Sequence, residues 1–283
     1  MASTPCLPAT VATSSRHRTH LQGSFIRDTA GSQSLERGLQ LLRAFRLGAT
    51  VLGNAELAAR TGLPRPTVSR LTRSLVDAGF LAYDLQHKAY RLTAVFLSLA
   101  LVYRRELPLL DVALPLMRKL ACSEQINVGL AVAEQQDMVY LESIREQQRF
   151  FRNVSSGSRI PIEQTSLGRA ALYALGKQAR DDMLAAIAPR YGRGWTAMRA
   201  EIRRSLADIA KNGYCHSSWQ AGMVALAAPL VLPDGAAHAL NISFAWADGD
   251  SLPLVRRYGP LLLSLAEDIQ LAYEKKVRAT PLA

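Results

Sequence analysis

The chain has 283 residues, 49% hydrophobic and 20% charged, with a formal net charge of +11. That length has room for two domains, each with a real core, and no apolar run reaches the ~20 residues that span a bilayer. The cysteines, Cys6, Cys122 and Cys215, are odd in number and lack metal-type spacing, which suggests a reducing, cytoplasmic setting without a disulfide framework.

The charge is uneven. Residues 1–92 carry 12 Lys/Arg against 5 Asp/Glu, and residues 93–283 carry 22 against 18. A basic first third fits phosphate contact, although basic surfaces also meet membranes and RNA. Residues 1–33 are Ser/Thr-rich, with Arg16, His17, Arg18, His20 and Arg27, and contain no apolar stretch suited to a secretory signal. They read as a disordered basic tail, with a transit-like peptide or an over-extended start as the other readings.

Ser34 or Ser32 is placed to cap a helix over about Leu35–Arg46, with Leu35, Leu39, Leu42 and Phe45 as its inner stripe. Asn54 is the expected cap of a short helix that stops at Thr61-Gly62. The turn Leu63-Pro64-Arg65-Pro66-Thr67 leads into a second helix reaching about Ala78. On a 3.6-residue wheel Val68, Leu71, Thr72 and Leu75 form its packing side, while Ser69, Arg70 and Arg73 lie opposite with Thr67 at the flank. Phe80–Tyr83 and Ala89–Leu92 alternate like two strands around the polar turn Asp84–Lys88. Helix, tight turn, helix and hairpin make the plan of a winged helix-turn-helix, which sets a basic helix where it can enter a major groove. A helical pair with a merely solvated polar face would not call for the hairpin.

Thr93 is the expected cap of a helix over about Ala94–Arg105. Its apolar residues Val95, Phe96, Leu99, Leu101 and Val102 exceed what one small domain covers. It reads as a linker where chains pair, or as a helix folded back on the wing. From Leu107 the pattern is mixed α+β. Helices are expected at Leu109–Cys122 (kinked by Pro115), Ser166–Leu175, Lys177–Ile187, Trp195–Lys211 and Leu252–Val277. Strands are expected at Ile126–Val132, Met138–Ser143, Phe150–Val154, Arg159–Ile162, Met223–Leu232 and Ala237–Trp246.

Catalytic arrangements are absent from the sequence: there is no GxSxG elbow, HExxH, P-loop or dinucleotide fingerprint. Cys215 and His216 are adjacent, so on a strand they point to opposite faces and do not share a site. Ser155–Arg159 reads as a hairpin loop or an anion nest. No cofactor or metal is expected, and the chain does not read as an enzyme.

Five stretches carry a family likeness: SLERGLQLLRAF, GLPRPTVSRLTRSLVDAGFL, YRLT, RIPIEQTSLGRAALYAL and GYCHSSWQAGMVALAAPLVLPDGAAHALNISF. In order and spacing, over about 250 residues from Ser34 onward, the chain resembles an IclR-family transcriptional regulator. The resemblance implies a winged helix-turn-helix at 34–92, a linker helix at 93–106 and a GAF/PAS-like effector-binding domain at 107–278, with tails at 1–33 and 279–283. It implies a regulator, repressor before activator, whose homodimer or dimer of dimers binds a double-stranded DNA operator. A small organic acid would modulate that binding, and no membrane is involved.

Under this reading Thr67, Ser69, Arg70 and Arg73 contact the groove, while Arg65, His87 and Lys88 meet the backbone. Position by position, Ile160, Ser166, Leu167, Cys215, Met223 and Ala225 become lining residues of the effector site. The helix start at Thr165–Gly168 would attract a carboxylate. The interval 215–221 lacks the acidic residues usual in the family and is shorter. It carries Trp219, which suits an apolar or aromatic acid, with Arg149 or Arg152 as the carboxylate anchor. The competing readings are a ligand-free assembly domain behind a DNA-binding module, and an enzyme acting on a small acid.

Overall fold

A computed structural model describes residues 31–46, 48–146, 154–220, 222–246 and 250–279. The N-terminal unit contains α1 (Gln33–Arg43), α2 (Asn54–Thr61) and α3 (Arg65–Asp77). With them lies an antiparallel sheet ordered β1-β3-β2, from β1 (Val51–Leu52), β2 (Leu81–Asp84) and β3 (Ala89–Leu92). Leu41, Phe45, Leu52, Leu57, Val68, Leu71 and Leu81 form its core.

The Ser32 hydroxyl accepts the Leu35 N–H at 3.5 Å and starts α1. The expected inner stripe is corrected: Leu35 is 63% and Leu39 50% exposed, whereas Gly38, Leu41 and Phe45 are buried. The helix carries apolar residues on two faces, and the face that meets α2 and α3 is the inner one. Asn54 is not the cap of α2 either. Gly53 occupies that position, and its N–H donates to Glu56 Oε2 at 2.9 Å. Gly62, at φ +69°, ends α2 in a left-handed turn that side chains disfavour.

Thr93 does not cap the next helix, α4 (Val95–Arg105); its hydroxyl donates to the Gly79 carbonyl at 2.6 Å and ties the wing to the end of α3. Only the start of α4 touches the wing, through Phe96 edge-on to Phe80. Leu97, Leu99, Leu101, Val102 and Tyr103 are each more than half exposed, and α4 buries none of its residues.

The C-terminal unit is a six-stranded antiparallel sheet ordered β6-β5-β4-β9-β8-β7. Its strands are β4 (Asn127–Glu134), β5 (Asp137–Ile144), β6 (Arg159–Pro161), β7 (Cys215–Ser217), β8 (Met223–Val231) and β9 (Ala237–Ala245). The strand expected at Phe150–Val154 lies almost wholly outside the described residues. α5 (Pro108–Glu124), continuous through Pro115, and α9 (Leu252–Ala279) cover one face. α6 (Ser166–Ala174) and α8 (Trp195–Asn212) cover the other, with α7 (Lys177–Ile187) beside them. Period-two alternation sorts the central strands between these layers. Val224, Leu226, Ala228 and Leu230 face α5 and α9, while Ala227 and Ala239 face α6. Both faces being covered explains why β8 reads as a nearly continuous apolar run.

Candidate DNA-binding face and effector cavity

Val68, Leu71 and Thr72 anchor α3 in the core, which leaves Ser69, Arg70 and Arg73 exposed on the opposite side. Arg65 is exposed at the first helical position and Thr67 is half-buried at the flank. The wing is organised by Asp84. Its Oδ1 accepts the N–H groups of Gln86 (2.9 Å) and His87 (3.2 Å), its Oδ2 meets His87 Nδ1 at 2.9 Å, and Arg91 ion-pairs with it. His87 and Lys88 are exposed at the wing tip, with Lys88 at φ +49°. The four cations, His87 and two hydroxyl residues picked out by pattern therefore share one module. Arg91, a further exposed cation of the wing, gave no sequence signal because alternate strand positions carry charge for many reasons.

The second candidate is a cavity between β5, β8, β9 and the start of α6. Ile160, Ser166, Leu167, Trp219, Met223 and Ala225 line it, together with Tyr140, Arg145, Val154, Thr165, Gln220, Asn241 and Ser243. Cys215 is a correction. It is fully buried beneath α6, its thiol donating to the Ser166 carbonyl at 3.5 Å. Two residues on, and so on the same side of β7, Ser217 Oγ accepts the Ser166 N–H at 2.9 Å. Burial pushes the Cys215 thiol up to about 12. Arg149 and Arg152 lie outside the described residues.

The α6 start is also less available than its sequence suggests. Besides the Ser166 N–H, that of Gly168 is taken by Thr165 Oγ1 at 3.1 Å, so most of the anion-attracting end is satisfied within the chain. Among the described residues the cation at the cavity is Arg145, whose Nε donates to Ser143 Oγ at 2.8 Å. Burial lowers its pKa, and bonding to Tyr140 opposes that; a guanidinium starts so high that it stays charged at neutral pH. Burial raises the Tyr140 phenol, offset by Arg145 and Asn241, so it remains a neutral hydroxyl. Asn241 Oδ1 is buried without a partner among the described residues. Gly129 on β4 makes room for this group, since a Cβ there would lie 2.4 Å from Asn241 Oδ1 and 2.6 Å from the Tyr140 ring. The cavity holds about 20 Å³, roughly one water, so a larger ligand requires part of the lining to move.

Behind the cavity Arg169 is a buried cation joining α6 to α8. Its Nε donates to the Glu163 carbonyl (3.0 Å), Nη1 to Ser205 Oγ (3.2 Å) and Nη2 to Glu201 Oε2 (2.8 Å). The suggested anion nest at Ser155–Ser158 is a closed turn: Ser158 N–H donates to the Ser155 carbonyl, Ser155 N–H to Ser158 Oγ, and Gly157 N–H to the Tyr140 carbonyl. Cys215 and His216 do not meet in one site. Cys215 is in the core, and His216 lines a cleft beside Arg169 and Trp219. Among the described residues no three His, Cys, Asp or Glu side chains are grouped to hold a metal, and no helix is long and apolar enough to cross a membrane.

A winged helix-turn-helix with an exposed basic helix, joined by α4 to a two-faced sheet domain enclosing a small cavity, defines a ligand-responsive transcriptional regulator. The chain belongs to the IclR family. Residues 34–85 match the IclR helix-turn-helix domain and residues 102–270 the Bacterial transcriptional regulator IclR C-terminal domain. It is 31% identical over 242 residues to the HTH-type transcriptional regulator TsaQ1/TsaQ2 of Comamonas testosteroni, covering 84% of this chain and 87% of that one. An IclR family transcriptional regulator from Brucella abortus is 33% identical, with a TM-score of 0.76, over 87% of this chain and 94% of that one. An IclR homolog from Microbacterium hydrocarbonoxydans complexed with 4-hydroxybenzoate shares the fold at 23% identity, with a TM-score of 0.65, over 86% of this chain and all of that one.

Proposed function

We propose that the chain represses transcription by binding a pseudo-palindromic operator as a homodimer, or a dimer of dimers, and that a small aromatic carboxylic acid in the α6 cavity alters that binding. The observation that carries this reading is Arg145, a half-buried guanidinium at a cavity where Ile160, Leu167, Trp219, Met223 and Ala225 supply apolar wall and Tyr140, Thr165, Ser166, Gln220, Asn241 and Ser243 supply polar groups. Apolar walls with one fixed cation suit a ring bearing a carboxylate. Arg145 is the cation among the described residues that can take this anchoring role, the role the sequence suggests for Arg149 or Arg152. The ligand bound to the Microbacterium homolog, 4-hydroxybenzoate, is an acid of this class.

Ser69, Arg70 and Arg73 then read bases, Thr67 supports them, and Arg65, His87 and Lys88 position the module on phosphates. The exposed apolar side of α4, with Leu35 and Leu39 of α1, supplies the surface for chain pairing. A route for coupling exists within one chain. Trp219 and Gln220, which line the cavity, also wall a cleft shared with Phe45, Arg46 and Gly48 of the N-terminal unit. The acid changes operator affinity only insofar as it prefers one arrangement of the two units.

The test is a gel shift on DNA upstream of the gene, with aromatic and aliphatic carboxylic acids added singly. Specific binding altered by an aromatic acid, with the response lost in Arg145→Gln, supports the reading. Arg70→Ala or Arg73→Ala should weaken operator binding by about 1–3 kcal/mol. Binding without sequence preference, and indifferent to every acid, would refute it. The enzyme and ligand-free readings have no supporting observation in the site.

A further inference from the structure

We propose a second ligand site, for a compact multivalent anion, in the cleft between the N-terminal unit and the sheet domain. It is distinct from the α6 cavity and encloses about 730 Å³. Five guanidinium groups line it: Arg43, Arg46 and Arg60 from the N-terminal unit, Arg159 and Arg190 from the sheet domain. The only carboxylate among the lining residues is Asp137.

Two acids partly balance this set. Asp137 Oδ2 is shared between Arg46 (3.3 Å) and Arg159 (2.9 Å), and Glu134 pairs with Arg43 at 2.6 Å. Arg60 and Arg190 have no carboxylate partner among the described residues. Arg60 Nη1 reaches only the Ala44 carbonyl at 3.5 Å, and Arg190 Nη2 donates to the neutral amide of Gln136. Two carboxylates against five guanidiniums leave three positive charges in one concave space. Charges of one sign in a walled cleft focus the field and concentrate counter-ions. Guanidinium forks match the planar oxygens of carboxylate and phosphate groups, so the fitting ligand carries two or more such groups within one small molecule. Because the unpaired arginines come from different units, such an anion bridges them.

The test is titration calorimetry of the full chain with citrate and with inorganic pyrophosphate at constant ionic strength, with acetate as the monovalent control. At least one of the two should bind tenfold or more tighter than acetate. Stronger binding of citrate would identify a polycarboxylate ligand, and of pyrophosphate a polyphosphate. Binding should fall at least tenfold in Arg60→Gln/Arg190→Gln and persist in Arg145→Gln. Both replaced arginines are exposed, so the double variant should melt with the wild type. Arg190→Glu alone provides a second check, since reversing one charge should weaken binding further than Arg190→Gln. Equal affinity for acetate and both multivalent anions, or undiminished binding in the double variant, would overturn the proposal. So would loss of operator affinity in the double variant with a shallower salt dependence, together with no anion binding by the wild type, because the arginines would then belong to the DNA backbone contact.

Discussion

Replacing Gly168 by alanine tests how α6 is held against the sheet. A methyl added there would lie 2.0 Å from the Ile162 carbonyl oxygen and 2.4 Å from Ile162 Cα, both backbone atoms. An ordinary contact begins near 3.4 Å, and backbone cannot rotate aside. The start of α6 must therefore retreat by more than ~1 Å, and Ser166 and Leu167 move with it. Alanine restores ~1 kcal/mol of helix propensity, whereas overpacking a close contact costs about 1–3 kcal/mol and more when the neighbour is main chain. The clash wins. We expect a net loss of about 1–3 kcal/mol, or roughly 2–12 °C in melting temperature for a domain of this size. Gly38→Ala in α1 is the matched control, because its added methyl meets nothing within 4 Å and should raise stability by up to ~1 kcal/mol. Thermal unfolding by circular dichroism, with both variants in the full chain, provides the comparison. If Gly168→Ala melts at or above the wild type, the close approach of α6 to Ile162 does not exist in solution.

Arg169→Ala should destabilise by about 3 kcal/mol in denaturant titration, the low end for breaking a buried pair, because Glu201 is half exposed and can rehydrate; a change below ~1 kcal/mol would contradict the buried node. An unfolded cysteine ionises near 9 and Cys215 near 12 when folded, so the fold disfavours the thiolate and stability should fall as pH rises from 9 towards 12. Cys215→Ala should flatten that decline. At pH 8 iodoacetamide should modify exposed Cys122 well before Cys215, as read by peptide mass mapping. Leu97→Glu/Leu101→Glu should shift the chain to monomer in analytical ultracentrifugation while leaving its melting nearly unchanged. An unaltered dimer would move the pairing surface away from α4.

Local rules made the elements of both units legible. Period-3.6 patterning placed Val68, Leu71 and Thr72 inward and thereby Arg70 and Arg73 outward. The family motifs located Ile160, Ser166, Leu167, Met223 and Ala225, because those positions lie on named strands and a helix start whose spacing is local. What failed was whatever depends on a partner element. α1 offers two apolar faces, and only docking against α2 and α3 selects Leu41 over Leu39. Asn54 has the chemistry of a cap, yet Glu56 reaching back to Gly53 wins. Cys215 pairs with Ala227 rather than with the cavity-lining Ala225, which places it in the core beneath α6. The sequence by itself determined the order of elements, the inward face of α3 and the basic character of the DNA-binding unit, since these follow from spacing along one chain. Only the tertiary structure decided that Arg145 is the cation at the cavity, that Ser217 and Thr165 occupy the α6 N–H groups, and that five arginines from both units converge on one cleft, because each depends on groups brought together across long sequence separations.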